Sequence, residues 1–86
     1  MNELERTLKA LANRRRLAMV RYLKHVKRAN VGDIAAEVKL SFKATSNHLA
    51  RLSAAEIVES DKVGLLVFYR LAARLPRVVN RLLPFI

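Results

Sequence analysis

Four side chains that can donate hydrogen bonds or carry positive charge recur along one short segment. Ser46 and Asn47 follow Lys43 by three and four residues, and Arg51 follows Asn47 by four, which places the four side chains on one face of an α-helix. Such side chains can reach base edges in a DNA groove, and an asparagine can bond adenine through two hydrogen bonds. Phe42, at the start of the segment, can pack on its neighbours or touch a thymine methyl group. We therefore expect contacts with nucleic acid here; the alternative is an ordinary solvated helix surface.

The opposite side of this segment is apolar and indicates how the helix is held. Thr45, Leu49 and Leu52 form a stripe at helical spacing. A shorter apolar repeat, Ile34–Val38, precedes them, and Ser41 can cap a second helix that spans about residues 42–54. Two short helices joined by a tight turn, the second exposed on one side, predict a helix-turn-helix motif.

Two candidate strands follow this motif. Val58–Asp61 and Leu65–Leu71 flank a turn that contains Lys62 and Gly64, and the second strand alternates as expected for a sheet with one face against the core. A hairpin after a helix-turn-helix predicts a winged helix. Lys62, at the expected tip, can reach a minor groove or its phosphates. Arg70, near the base, can do likewise or pair with an acid.

Apolar repeats also predict helices at both ends of the chain. A first helix begins near Asn2, a second runs from Asn13 to about Val26, and Pro76 suits the first turn of a last helix. Residues 1–86 are therefore expected to form one domain, mainly α-helical with a two-stranded β wing.

Composition limits the class of partner. Lysine and arginine number 17 against 7 acidic residues, and the net charge of +10 suits a polyanion such as DNA better than it suits solubility alone. Residues 1–30 and 61–86 carry the excess, so these flanks would attract phosphates while the nearly neutral middle discriminates bases. A hydrophobic fraction of 52% in 86 residues exceeds what a small core can hide, which predicts a partner subunit.

Other classes are not indicated. Without cysteine, the chain has no disulfide, thiolate metal site or thiol switch. No apolar run approaches the ~20 residues that span a membrane, and no secretory signal is visible, so a cytoplasmic location without a membrane partner is expected. No nucleophile with a base, carboxylate pair or glycine-rich phosphate loop predicts an enzyme, and nothing predicts a cofactor.

Three segments together resemble the ArsR family of dimeric winged-helix repressors: LKALANRRRLAMVRYL, DIAAEVKLSFKATSNHLARLSAAEIVES and VGLLVFYRL. The similarity covers about residues 7–71. Its most specific parts are Leu8 to Leu11 with Arg16-Leu17, the Ser46-Asn47-His48-Leu49 segment and the Tyr69-Arg70-Leu71 strand end. Each part is weak by itself, and their combination in this order is a strong signal.

The resemblance implies a homodimer whose two recognition helices reach successive major grooves and which represses a promoter by occupying it. It implies DNA contacts at Phe42, Lys43, Ser46 and Asn47. It also implies that the first and last helices join the subunits. The apolar residues available there are Leu4, Leu8, Val78, Val79, Leu82 and Leu83.

The chain departs from this family's pattern at several positions. Many relatives bind metal through a cysteine pair at the start of the third helix, where this chain has Ala29–Val31. Ala73–Ile86 has no histidine or carboxylate for a second family site, so metal sensing is not expected. Glu56 replaces the usual glycine after the recognition helix, which predicts a different turn. Arg16, at a family arginine position, is expected to meet a carboxylate such as Glu37.

The combined prediction is a dimeric, sequence-specific transcriptional regulator acting on double-stranded DNA, expected to be a repressor. His48, at the edge of the buried stripe, is expected to be a packed or hydrogen-bonded residue and not a metal ligand. Two alternatives stay open: a sequence-indifferent DNA-coating protein of the same fold, and a winged-helix domain that binds protein. The operator and any small-molecule effector are not indicated.

Overall fold

Helices make up most of this structure, a computed structural model that describes residues 2–86. The helices are α1 (Glu3–Leu11), α2 (Arg14–Val26), α3 (Val31–Val38), α4 (Phe42–Ala54) and α5 (Arg77–Leu82), with a 3₁₀ turn (Leu83–Phe85) after α5. The strands are β1 (Ala29–Asn30), β2 (Val58–Val63) and β3 (Leu66–Leu71). Within residues 2–86, no helix has the length and apolar character needed to cross a membrane. The order of elements is that of the predicted winged helix-turn-helix.

Side-chain caps fix where the first four helices begin. In each case a side-chain oxygen accepts a backbone N–H two or three residues ahead, at 2.8–3.1 Å. The capping residues are Asn2, Asn13, Asn30 and Ser41. Each cap pairs a donor that the helix leaves free and typically contributes about 1 kcal/mol. The predicted caps of α2 and α4, and the predicted extent of α4, are confirmed.

One apolar core orients the helix-turn-helix. Its centre consists of side chains with no exposed surface: Met19, Val20, Ile34, Leu49, Leu52, Ile57 and Val79. The predicted stripe of α4 is confirmed, because Thr45, Leu49 and Leu52 are all fully buried. Burying one such leucine stabilises the fold by about 1.5–3 kcal/mol. The buried stripe therefore forces the opposite face of α4 toward solvent.

The sheet contains one strand more than the predicted wing. Its order is β1-β3-β2, and both pairings are antiparallel. In the short strand β1, Ala29 lies opposite Tyr69. The sequence did not predict β1 because two residues are too few to show alternation. By holding the base of the hairpin against the body, β1 fixes the direction in which the wing projects.

The wing ends in a tight turn. Val63 and Leu66 are the last paired residues of β2 and β3, so Gly64 and Leu65 form a two-residue turn. Gly64 has φ +61°, which suits the first turn position of a type II′ hairpin. Strand β2 thus runs beyond its predicted end, and Lys62 lies on the strand instead of at the tip.

The turn from α4 to the wing uses a glutamate in the left-handed conformation. Glu56 has φ 62°, and its N–H donates to the carbonyl of Ser53 at 2.9 Å. The N–H of Ile57 donates to Leu52 at 3.0 Å. These two bonds form a Schellman motif, which usually has glycine at this position. The prediction that Glu56 gives a different turn is therefore wrong. The same turn forms with Glu56, whose side chain makes the left-handed conformation about 1–2 kcal/mol less favourable than it is for glycine.

Helix α5 packs against α1 at one side of the core. Pro76 lies at the N-cap of α5, one residue before the predicted first turn. Val79 has no exposed surface; its assignment to a subunit interface is corrected, since it belongs to the core of its own chain. Leu4 and Leu8 are 55% and 45% exposed. The remaining predicted interface residues are half-buried: Val78, Leu82 and Leu83.

Candidate nucleic-acid interface

The outward face of α4 brings together the polar residues that the sequence singled out. Lys43, Asn47 and Arg51 are exposed, and Ser46 beside them is half-buried. Phe42, at the first turn of the helix, is 63% exposed, so its ring does not pack into the core. The structure thus places all five predicted residues of α4 on or beside one accessible surface, which we call the reading face.

The reading face has unused hydrogen-bonding capacity. Within residues 2–86, the side chains of Lys43, Ser46, Asn47 and Arg51 form no internal hydrogen bond, and the ion pairs all lie elsewhere. Lysine and arginine supply only donors, whereas asparagine can donate and accept. These groups can therefore meet base edges or phosphates without first breaking contacts inside the protein.

Two arginines at the start of α2 are held by carbonyl groups at the ends of other helices. Arg15 donates through Nη1 to the carbonyl of Val38, the last residue of α3. Arg16 donates through Nε to Ala10 at 2.6 Å and through Nη2 to Lys9 at 3.3 Å, both in the last turn of α1. Carbonyls at a helix C-terminus lack partners and carry the negative end of the dipole. They compensate cations that would otherwise oppose the dipole of α2.

Arg16 also contacts the recognition helix. Its Nη1 lies 3.1 Å from Nδ1 of His48. Because a guanidinium only donates, Nδ1 must accept, so His48 is uncharged and carries its proton on Nε2. The prediction that Arg16 pairs with a carboxylate such as Glu37 is therefore wrong. Its guanidinium is hydrogen-bonded to two backbone carbonyls and to the imidazole of His48. The expectation of a hydrogen-bonded structural histidine is confirmed.

Burial and neighbouring cations oppose the protonation of His48. The pKa of His48 is lowered from its ordinary value, first because burial removes the ring from water, and then because Arg16, Arg51 and Arg15 are positively charged. Burial and the charge of Arg51 likewise lower the pKa of Arg16. The space between α2 and α4 is thus a region where positive charge is concentrated.

The wing holds its arginines with carboxylates. Nη1 of Arg70 lies 2.8 Å from Oδ1 of Asp61, and Nη2 lies 3.7 Å from Oε2 of Glu59. Arg28 also pairs with Asp61, at 3.2 Å, and its guanidinium lies 3.9 Å from the centre of the Phe68 ring. Of the two roles left open for Arg70, the acid pair is the one observed. Contact of Arg70 with DNA would compete with these ion pairs.

The tip of the wing is apolar. Leu65 is 97% exposed, and the flanking Val63 and Leu66 are 53% and 50% exposed. Lys62, on the adjacent part of β2, is exposed and forms no ion pair within residues 2–86. The predicted turn, placed at Lys62 and Gly64, did not indicate an apolar tip. The run Val63-Gly64-Leu65-Leu66 would have revealed it once the turn was placed correctly.

The positions considered for metal ligands have structural roles. Ala29 and Val31 are buried in the core, and Asn30 caps α3. In the described part of the chain, no cluster of three or more histidine, aspartate or glutamate side chains has a geometry that could hold a metal ion. These residues therefore give no basis for a metal site.

Packing of α1 onto α4 adds two cations that the sequence did not indicate. Arg6 and Lys9 line a cleft together with Arg16 and Arg51. Their spacing shows that they share a face of α1, but no sequence signal shows which helix this face meets. The cluster therefore became visible only in the folded chain.

Comparison with known proteins identifies the family. The sequence model for bacterial regulatory proteins of the arsR family matches residues 13–60, which is more than half of the chain and includes the whole helix-turn-helix. No curated protein matches the chain.

Solved structures agree with this match. HlyU from Vibrio cholerae is 31% identical with a TM-score of 0.83, over 96% of this chain and 86% of that one. The homodimeric winged helix-turn-helix DNA-binding domain Mb0332 from Mycobacterium bovis is 30% identical with a TM-score of 0.82, over 96% and 73%. The AntR antimony-specific transcriptional repressor is 31% identical with a TM-score of 0.81, over 96% and 72%. The chain therefore belongs to the ArsR family of bacterial regulatory proteins.

Proposed function

We propose that this protein is a dimeric, sequence-specific DNA-binding repressor that places α4 in the major groove and rests the wing on the backbone or minor groove. The observation that carries the proposal is the reading face: exposed or half-exposed donors, without an internal partner within residues 2–86, on a helix that the core holds outward. The net charge of +10 supplies attraction to the phosphates. A regulator of this kind acts on double-stranded DNA in the cytoplasm and needs no catalytic residues.

The residues of the reading face divide into those suited to bases and those suited to phosphates. Asn47 can recognise adenine through two hydrogen bonds, which discriminates by about 1–3 kcal/mol against a wrong base. Lys43 and Ser46 can contact a base edge or a phosphate, and Arg51, one turn after Asn47, is placed for the backbone. Lys62 supplies a cation on the wing. Arg70 would contribute only by exchanging its carboxylate partners for phosphate.

Dimerisation is proposed through α1 and the C-terminal segment. Leu4 and Leu8 expose large apolar surfaces on α1, and Val78, Leu82 and Leu83 are only partly covered. Mb0332 is a homodimer and has the same fold over 96% of this chain. A two-fold arrangement would place two copies of α4 about one DNA turn, ~34 Å, apart on a palindromic operator.

Selection of bound fragments from the source genome, followed by competition with random DNA, tests this proposal. We expect at least a ~10³-fold preference for the selected site and half-sites separated by about one turn. Equal affinities would support a sequence-indifferent coating role instead. The preference should be lost when Lys43→Ala is combined with Asn47→Ala. Lys27→Ala with Arg74→Ala removes charge from exposed positions outside α1, α5 and the reading face, and this control should retain the preference.

A second candidate function rests on the apolar wing tip. The 97% exposure of Leu65 is unusual for a surface that meets only a hydrated polyanion, and exposed apolar patches often mark protein contacts. If the wing binds protein, Leu65→Ser should abolish that binding while Lys43→Ala with Asn47→Ala leaves it intact. Absence of measurable DNA affinity at low salt would favour this candidate over the repressor.

A further inference from the structure

A cleft between α1, α2 and α4 is lined almost entirely by cations and alanines. Its charged residues are Arg6 and Lys9 of α1, Arg16 of α2 and Arg51 of α4. The rest of the lining consists of alanines: Ala10, Ala54 and Ala55. The volume is about 220 Å³, several times the ~30 Å³ that one water molecule occupies in the liquid. A tetrahedral anion fits this space.

The charge of this cleft is not neutralised by the chain itself. Within residues 2–86, all three ion pairs belong to the wing and its base, and no carboxylate lines the cleft. Arg16 is compensated by the carbonyls of Lys9 and Ala10. The side chains of Arg6 and Arg51 make no hydrogen bond in the same part of the chain. Their donors are available to an incoming group.

The anchored arginine gives the cleft a fixed wall. Three contacts hold the guanidinium of Arg16, to Ala10, Lys9 and His48, so its charge cannot swing away from Arg51. The proximity of like charges is also visible in the lowered pKa of Arg16, for which burial is the larger cause and Arg51 the smaller. An anion between the helices would relieve this repulsion.

The cleft lies beside the reading face. Arg51 belongs to both, since it follows Asn47 by one helical turn and also lines the cleft with Arg16. Helix α4 in a major groove has a phosphate backbone along each side of it. The side of α4 that bears Arg51 is thus the one where a backbone phosphate can meet α1.

We propose that this cleft binds one phosphate group, with Arg6, Lys9 and Arg51 as its ligands and Arg16 as a positioning residue. The group can be a backbone phosphate of DNA or a free phosphate, and the chemistry of recognition is the same for both. Binding of a DNA phosphate rests on the proposed function, whereas binding of free phosphate does not. The cleft would extend the DNA contact from the helix-turn-helix to α1.

The test variant replaces Arg6 and Lys9 with glutamine. Both residues are exposed on α1, and glutamine retains helix propensity, so the fold should persist. Lys27→Gln with Arg74→Gln removes the same charge, one lysine and one arginine, from exposed positions outside α1, α5 and the reading face and serves as the matched control. Arg51→Gln is a second variant should the double substitution unfold the protein.

The first measurement is the salt dependence of binding to DNA. In the test variant, the slope of log K against log salt should become shallower by about 0.9 for each phosphate that the protein no longer neutralises. The preference for one sequence over another should not change, because binding to the backbone carries no base information. The control should retain the slope of the unchanged protein.

The second measurement uses inorganic phosphate alone, followed through the NMR signals of the His48 ring and the Arg51 Nε–H. Phosphate should shift both signals beyond an equal ionic strength of sodium chloride, and the test variant should abolish the shift. A positive result in either measurement supports the cleft as a phosphate site and identifies its source. An unchanged salt slope together with no phosphate-specific shift would overturn it. Absence of DNA binding by the unchanged protein would refute the proposed function, while the phosphate measurement would still decide on the cleft.

Discussion

The helix-turn-helix side and the wing of this protein hold their arginines in opposite ways. On the helical side, Arg15 and Arg16 donate to backbone carbonyls at helix ends, which leaves their full charge in place. At the wing and its base, Arg28 and Arg70 share the carboxylate of Asp61, and Arg70 also pairs with Glu59, so their charge is largely cancelled. Both arrangements satisfy the guanidinium, but only the first preserves a positive potential.

This difference shows that a count of cations does not identify a DNA surface. The chain has 17 basic residues, and the way each is compensated decides whether its charge is available to phosphate. An arginine that donates to backbone carbonyls is held in place and still contributes its positive charge to the local field. An arginine that pairs with a carboxylate is also held in place, but the two charges cancel locally.

The largest expected effect concerns the anchored arginine. Arg16→Met removes the bonds to Ala10, Lys9 and His48 and should lower the free energy of unfolding by about 2–3 kcal/mol, because these are charge-assisted bonds in a half-buried position. Urea denaturation at fixed protein concentration measures the change. Arg14→Met, at an exposed neighbour without such bonds, should stay within about 0.5 kcal/mol. Equal effects would show that carbonyl compensation does not stabilise the helical side.

The wing should respond to removal of its shared carboxylate. Asp61→Asn removes the carboxylate that pairs with Arg28 and one of the two that pair with Arg70, so affinity for any DNA should rise by about threefold to tenfold at low salt. Stability should change by less than about 1 kcal/mol, because the pairs are solvent-exposed. Glu37→Gln removes an equal charge from an exposed residue that forms no ion pair within residues 2–86 and should have a smaller effect on binding. If both variants bind equally, the wing arginines are not held back from DNA by Asp61.

A substitution that changes stability without changing charge can separate the effect of stability on DNA binding from the effect of charge. The hydroxyl of Thr45 is buried without a hydrogen-bond partner within residues 2–86, so Thr45→Val should raise the free energy of unfolding by about 1 kcal/mol. Affinity for DNA should not change. Thr7 is equally buried, but its hydroxyl donates to the carbonyl of Glu3 at 2.9 Å, so Thr7→Val should not stabilise. An altered DNA affinity in Thr45→Val would mean that rigidity of α4, and not exposed charge, governs binding.

The smallest expected effect is the pH dependence of the helical side. The folded chain lowers the pKa of His48 from its ordinary 6.5, so the unfolded state binds the proton more readily. The contribution of His48 to stability is therefore complete above about pH 6.5 and declines as the pH falls toward the lowered folded value. Glutamine at position 48 can accept the Arg16 bond without titrating. Between pH 7.5 and 5.5, the free energy of unfolding should fall less in the His48→Gln protein than in the unchanged protein. An equal fall in both would show that protonation of His48 is not the cause.

The helix-turn-helix was predictable because its signals are local. Asn13 and Ser41 are caps, and the stripe of Thr45, Leu49 and Leu52 shows which side of α4 is buried. From these residues alone, the orientation of Lys43 and Asn47 toward solvent follows. The position and type of the recognition helix are therefore determined by short-range periodicity and capping.

Features that depend on tertiary contact were not predictable. Two of the three partners of Arg16 are backbone carbonyls, which every residue carries, so no residue type in the sequence marks them. The role of Val79 depends on how α5 meets the core, and the interface assignment was wrong for that reason. Arg6 and Lys9 join Arg51 only because α1 packs on α4. Such contacts leave no periodic trace along the chain.

The two-residue turn at Gly64 and Leu65 restricts how the wing can change in length. Side chains alternate between the two faces of the hairpin, and Val63 is paired directly with Leu66. Insertion of one residue into either strand would exchange the faces on one side of the insertion and move Asp61 away from Arg28 and Arg70. Paired insertions of two residues in each strand would keep the register, the faces and the type of pair next to the turn. Natural variation in the reach of this hairpin should therefore occur in steps of two.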